Sequence, residues 1–407
     1  MTGEYMERLR SNQDIYGRLG VRKIINAQAR SSKIGGSLMH EDVLRAMVEA
    51  AGSFVEISEL LGHASAHIAG LIGVEAALIV NSAAAGLTVT TAACVTGRAP
   101  DKIYRLPDTR GMRNQIVVHR QQRNHYDCCV RAAGVQLVEI GSSRDTFAWE
   151  LEAAINDQTA AVVYFISHEG RNSLPLAGVI EIAHARQVPV IVDAASELPP
   201  VSNLRHFVAM GADLVIFSGG KGIGGPQASG IILGKRELIE CCALNAFPNQ
   251  NAIGRTMKIG KEEIAGLVVA IERVLEHDFA TDLERWEQQV QTVVDALRDI
   301  PGIGVERVFD MPEDPELHPV PIPRAWIELH CADVQKRLLH ELETGDPAIS
   351  VRRVGKTVVT IAPDSLREGE DQVVAQRLRT VLLAGARCAE DSHGESGLRD
   401  VSRRDRR

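Results

Sequence analysis

Seven short β-rich runs recur between residues 77 and 233, and the stretches between them carry apolar residues at helical spacing. The runs cover 77–81, 115–119, 135–140, 161–166, 188–193, 214–218 and 230–233. Runs this apolar suit strands buried on both faces, and helical crossovers join strands that lie parallel. The pattern therefore predicts one large, seven-stranded, mostly parallel sheet in an α/β fold. Consecutive strand ends in such a sheet open on a common rim, where ligands bind.

Two of those ends carry chemistry. The run 188–193 closes on Asp193, followed by Ala194 and Ala195, and the next run leads into Ser218-Gly219-Gly220-Lys221-Gly222-Ile223-Gly224-Gly225-Pro226. A lysine in a loop that lacks Cβ atoms can bind phosphate as a cation or attack a carbonyl as an amine. A P-loop would need glycine at Val215 and serine or threonine at Gly222, so Walker-type nucleotide binding is disfavoured. An aspartate and a lysine on one rim are what pyridoxal phosphate requires: an amine to join its aldehyde and an acid to hold its ring nitrogen protonated. Ser218 would then offer a hydroxyl to the phosphate. The plainer alternative is a surface lysine in a flexible turn. After the first run, Asn81-Ser82-Ala83-Ala84-Ala85-Gly86 opens a helix, and its free N–H groups and dipole suit an anion, although serine is also simply a good N-cap.

The rest of the chain narrows the function class. With 407 residues, 45% of them hydrophobic, it can bury a large core and divide into two domains. A net charge of −8 argues against nucleic acid or an anionic membrane as main partner. Seven cysteines, with two adjacent pairs and no CxxC spacing, read as reduced thiols rather than a disulfide or zinc framework, so no metal is expected. No apolar run approaches 18 residues and the N-terminus lacks a signal-peptide core, which points to a cytoplasmic protein.

The predicted organisation has four parts. Residues 1–40 form a helical arm, a short strand at 21–26 and a polar loop that covers the site. Residues 41–262 form the large domain, with helices at 41–51, 53–62 and 63–71 before the first strand. Residues 263–388 form a small α+β C-terminal domain with strands at 304–308, 326–329, 349–354 and 357–361, and residues 389–407 are a disordered tail.

Several stretches resemble one family. They are Ile25-Asn26-Ala27 with Gly35-Gly36-Ser37-Leu38-Met39, Val80-Asn81-Ser82-Ala83-Ala84-Ala85, Phe217-Ser218-Gly219-Gly220-Lys221 with Gly225-Pro226-Gln227, and 252–263. Over residues 24–276, and more loosely to 370, the chain resembles the selenocysteine synthase and D-glucosaminate-6-phosphate ammonia-lyase branch of fold type I pyridoxal-phosphate enzymes. The resemblance implies the aspartate-aminotransferase-like fold, with shared active sites in a homodimer or larger homo-oligomer. It implies Lys221 as the Schiff-base lysine and acid–base group, Asp193 on the pyridine nitrogen and Ala195 beneath the ring. Ser82, Ala83, Ala84 and Ser218 would hold the phosphate, and His125, from the block 119–126, would stack on the ring.

Arg30, Lys33, Arg171, Arg352 and Arg353 are candidates for a small-molecule substrate's carboxylate or phosphate, Arg255 would be a further anion ligand, and His168 would act near the cofactor's 3-hydroxyl. The implied reaction is loss of water from a 2-amino-3-hydroxy acid of the D-glucosaminate or D-glucosaminate-6-phosphate type, releasing ammonia and a 2-keto-3-deoxy acid. A racemase or epimerase is the enzyme alternative. A selenocysteine-synthase-like transferase without the tRNA-binding segment and a non-catalytic relative are less favoured, the first because the charge suits tRNA poorly. Two departures bear on the substrate: the charged Ala29-Arg30-Ser31-Ser32-Lys33 before Gly35, and Gln121-Gln122 where a Gly-His is common.

Overall fold

Alternation within each strand decides how the large sheet is covered. In β5 (Thr159–Phe165), Val162 and Tyr164 join one apolar cluster while Ala161, Val163 and Phe165 join another on the opposite face. Both faces are therefore core, as parallel strands between helical layers require. A computed structural model of the chain describes residues 14–166, 173–309 and 322–394, with side chains to residue 384. The sheet contains β2 (Ala76–Val80), β3 (Gln115–His119), β4 (Gln136–Ile140), β5, β6 (Val190–Asp193), β7 (Leu214–Ser218) and β8 (Gly230–Gly234), in the order β2-β8-β7-β6-β5-β3-β4. Only β8 runs against its neighbours. The seven-stranded, mostly parallel sheet is the predicted one.

The helix Ala83–Thr96 lies on one face, among Ile191, Leu214 and Ile216. The helices Glu41–Ala51, Ile57–Ile72 and Lys261–Glu276 lie on the other, through Val43, Leu61, Ile68, Ile264, Leu267 and Ile271. Each such aliphatic side chain contributes about 1.5–3 kcal/mol on burial. The two helices expected at 53–62 and 63–71 are one helix, Ile57–Ile72. Its buried Leu61, Ala64, Ser65, Ile68 and Ile72 keep one stripe across the Gly62-His63 step, and packing overrides the glycine.

A second unit holds a five-stranded sheet: β1 (Ile24–Ala27), β9 (Ile303–Phe309), β10 (Pro323–Leu329), β11 (Ala348–Val354) and β12 (Val358–Ile361), in the order β1-β11-β12-β10-β9. The N-terminal strand β1 pairs in parallel with β11, Ile24 opposite Ala348, so the stretch that opens the chain belongs to the sheet near its end. Among the described residues this unit takes 14–30, 280–309 and 322–394, and the large unit takes 31–166 and 173–279. The chain thus passes to the small unit after Phe279, not after residue 262, because Lys261–Glu276 is packed on the large sheet. The last helix, Glu370–Gly394, extends beyond residue 389, where the tail was expected to begin. Among the described residues no helix is long and apolar enough to cross a membrane, and no group of three potential metal ligands occurs.

Candidate active site

The C-terminal rim of the parallel strands gathers most of the predicted residues. β6 ends on Asp193, and the adjacent β7 runs out at Ser218 into the glycine loop that carries Lys221. The chain leaves β6 in a tight turn. Asp193 Oδ1 accepts the Ala195 N–H at 3.0 Å, and the Ala194 N–H donates to Ile216 O at 3.0 Å. Burial pushes the Asp193 carboxyl up to about 6, against the lowering pulls of the Ala195 N–H and the Lys221 charge. Burial also lowers the Lys221 amine, while the Asp193 and Glu197 carboxylates raise it. An acid and an amine displaced toward each other by one environment mark a place suited to proton transfer.

The lysine loop is held from two sides. Ser37 donates its N–H to Gly220 O at 3.0 Å and its hydroxyl to Lys221 O at 2.6 Å. Gly36, at φ +74°, allows this approach: a Cβ there would lie 2.5 Å from Gly220 O. The resemblance block around Gly35-Gly36-Ser37 is therefore a clamp on the lysine. On the other side a Cβ on Gly222 would lie 2.4 Å from Leu198 Cβ and 2.5 Å from Leu198 O, so the loop rests directly on the turn after Asp193.

A helix start with free N–H groups lies one strand away from Ser218. Ser82 caps the helix Ala83–Thr96 by accepting the Ala85 N–H at 3.1 Å, and the N–H groups of Ala83 and Ala84 have no acceptor inside the helix. Ser218 is paired with Gly230, and a Cβ on Gly230 would meet Ser82 C at 2.7 Å and Ala83 N at 2.9 Å. Ser82, Ala83, Ala84 and Ser218 thus share one corner of the rim. A group with an anionic end at this corner, a ring nitrogen for Asp193 and an aldehyde for Lys221 fits the donor set, and pyridoxal phosphate has all three.

The other candidates are placed as follows. His125 is exposed, and its carbonyl accepts from Cys128 Sγ at 3.1 Å. In the same block Gln122 is buried, with Oε1 accepting the Phe165 N–H at 2.9 Å, and Gln121 Oε1 accepts from Ser173 Oγ at 3.1 Å. Gln122 is thereby tied to β5, and Gln121 to the segment before the helix Leu176–Ala185. His119 is fully buried, edge-on to Tyr164 at 5.4 Å, and burial lowers it to about 4.

Arg255 lies over the Phe247 ring at 5.4 Å. In the small unit, Arg30 Nε stands 3.7 Å and Arg324 Nη1 2.7 Å from Asp364. Burial pushes the Asp364 carboxyl up, but the two arginines together hold it below its ordinary value. Arg353 Nε donates to Gly355 O at 2.9 Å in the hairpin after β11. His168 and Arg171 lie outside the described residues.

Sequence reasoning passed over Ser196 and Glu197. Lys221 Nζ donates to Ser196 Oγ at 3.1 Å, and the charge of the buried Glu197 acts on both Lys221 and Asp193. Their position directly after Ala195 was the available signal, since a turn at a strand end delivers its side chains to the rim.

With the geometry in hand, the chain can be set beside known proteins. A family model described as SelA, L-seryl-tRNA selenium transferase, matches residues 30–293. A protein named D-glucosaminate-6-phosphate ammonia lyase from Salmonella typhimurium is 32% identical over 381 residues, 90% of this chain and 98% of that one. A 5'-C-glycyluridine monooxygenase-decarboxylase from Streptomyces sp is also 32% identical, covering 90% and 92%. A solved structure of D-glucosaminate-6-phosphate ammonia-lyase superposes with a TM-score of 0.78 at 31% identity, covering 92% and 100%. Serine palmitoyltransferase from Sphingomonas wittichii, at 12% identity with 89% and 88% covered and a TM-score of 0.58, shares the fold.

Proposed function

The chain belongs to the family that contains the L-seryl-tRNA selenium transferases and D-glucosaminate-6-phosphate ammonia lyase, with the fold type I architecture of pyridoxal-phosphate enzymes, and we propose that it is a dehydrating ammonia lyase. The substrate in this reading is a 2-amino-3-hydroxy acid of the D-glucosaminate or D-glucosaminate-6-phosphate type, and the products are a 2-keto-3-deoxy acid and ammonia: the water lost from C3 is balanced by the water that hydrolyses the resulting imine at C2 and leaves its oxygen there. The observation that carries it is that Lys221 and the half-buried Asp193 lie on one rim and shift each other's titration, in a chain matched along 98% of an ammonia lyase.

When bound, pyridoxal phosphate supplies an aldehyde that joins amines and a ring that withdraws electrons from the substrate Cα. Asp193, ionised, would hold the ring nitrogen protonated. Ser218, Ser82 and the N–H groups of Ala83 and Ala84 would hold the phosphate at the helix start. Ala195 would lie against the ring. Lys221, whose amine burial lowers, would take the proton from Cα and return one to the departing β-hydroxyl as water. Arg30, Arg255 and Arg353 remain the proposed anion ligands for the substrate, and His125 the proposed ring neighbour. A homo-oligomer is part of the reading: Val48 and Phe54 on the large unit are 75% and 103% exposed and supply apolar surface for it.

The test is to assay purified protein for 2-keto acid and ammonia from D-glucosaminate and its 6-phosphate. Release of both in equal amounts supports the lyase, and exchange of the Cα proton with solvent without keto acid supports the racemase instead. The equal identity to the Streptomyces enzyme favours a second reading, oxidative decarboxylation of an amino acid. Oxygen uptake with carbon dioxide release and no keto acid would select that one.

A further inference from the structure

The lysine of the site is not held by the aspartate with which the sequence pairs it. Lys221 Nζ donates to Ser196 Oγ at 3.1 Å, whereas Asp193 Oδ1 accepts the Ala195 N–H. Ser196 stands in the turn between β6 and the helix Asn203–Ala209, and that turn is braced along its length. The Ala194 N–H bonds Ile216 O, the Glu197 N–H bonds Ala194 O at 3.1 Å, and Asn203 Nδ2 bonds Glu197 O at 2.9 Å. The lysine loop presses on the same turn at Gly222, where a Cβ would overlap Leu198. Two interlocked backbones therefore fix the points from which the lysine side chain and the serine hydroxyl reach each other.

A hydroxyl in that place has a definite use. It accepts from an ammonium and donates to a neutral amine, so it can stay bonded to Lys221 in either protonation state. We propose that Ser196 is the positioning residue for Lys221: its hydroxyl receives the amine whenever that amine is not joined to the cofactor and keeps it in the site between its two proton transfers. Over the cycle the Cα–H bond breaks as an N–H bond forms on Lys221, and that proton leaves with the β-hydroxyl as water. Ser196 ends with the proton it began with. This assignment rests on the pyridoxal-phosphate reading above.

The test uses the full chain, Ser196→Ala, and Ser196→Thr, which keeps the hydroxyl. Pyridoxal-phosphate loading of the unaltered protein is checked first by borohydride reduction and peptide mapping. The cofactor-free chains are then acetylated with acetic anhydride across a pH series, and mass spectrometry gives the midpoint of Lys221 labelling, with Lys102 as internal control. The bond to Ser196 favours the charged amine, so its loss should move the Lys221 midpoint down by about half to one pH unit, with Ser196→Thr restoring it. Ser196→Gly gives the same readout if Ser196→Ala folds poorly. A loaded protein whose Lys221 midpoint stays fixed in the hydroxyl-free variants overturns the role of Ser196 alone. A chain that never loads at Lys221 overturns the cofactor reading and the Ser196 role together.

Discussion

A carboxylate lies at each end of β6, the buried Asp213 beside its start and the half-buried Asp193 at its close, and the two are treated differently. At its start Asp213 accepts the Val190 N–H at 2.7 Å and His184 Nε2 at 2.8 Å, and it pairs with Lys235 at 2.5 Å. At its end Asp193 accepts the Ala195 N–H, and burial leaves its carboxyl pushed up to about 6. A buried charge costs little when several partners surround it and much when few do. The first aspartate ties the starts of β6 and β7 and the helix Leu176–Ala185 into one fabric. The second shows one side-chain hydrogen bond among the described residues, on the rim where a ligand with a cationic nitrogen would meet it. The end with several partners builds the sheet, and the end on the rim faces the candidate site.

The comparison can be broken most directly at the lysine. Lys221→Ala should abolish covalent cofactor attachment and lower turnover by more than about 10²-fold, while thermal unfolding changes little. Asp193→Asn should weaken cofactor binding by about 10- to 100-fold, read by absorbance titration, because a charged hydrogen bond is lost. The pH sign follows from the raised value. Between the ordinary carboxyl range and about 6 the folded chain holds a proton that the unfolded chain has released, so stability falls as pH rises through that window. Cofactor affinity should do the reverse, improving as pH rises through about 6 and Asp193 ionises, and Asp193→Asn should flatten both slopes.

Two smaller effects sharpen the contrast. Asp213→Asn should cost about 1–3 kcal/mol in denaturant unfolding, since a neutral amide serves the Val190 N–H, His184 and Lys235 poorly, and leave the pH dependence of cofactor binding unchanged. Gly222→Ala should cost about 1–3 kcal/mol by overpacking against Leu198 and slow cofactor loading, measured by stopped-flow absorbance.

Much of this was legible in the sequence for a local reason. Strand runs and the residues at their ends lie within a few positions of each other, so the sheet, Asp193, Ser218, Lys221 and the helix start at Ser82 could be read in place. What escaped depends on distant partners. The strand near the N-terminus gave no sign that it pairs with Ala348–Val354, and the stripe of Lys261–Glu276 did not say which sheet it covers. Gly62 resembled a break until Leu61, Ala64 and Ile68 were seen to share a face. Ser196 shows the same limit inside the site, since its bond to Lys221 joins two loops 25 residues apart. The roles of the arginines need the substrate, and no spacing in the chain encodes that.

The measurement that bears most directly on the Asp193 end of β6 is borohydride reduction of the protein incubated with pyridoxal phosphate, followed by peptide mapping. The account predicts a pyridoxyl group on Lys221, with labelling that fades as pH falls below about 6 and Asp193 takes up its proton. Labelling spread over surface lysines, or absent from Lys221 at every pH, would contradict it.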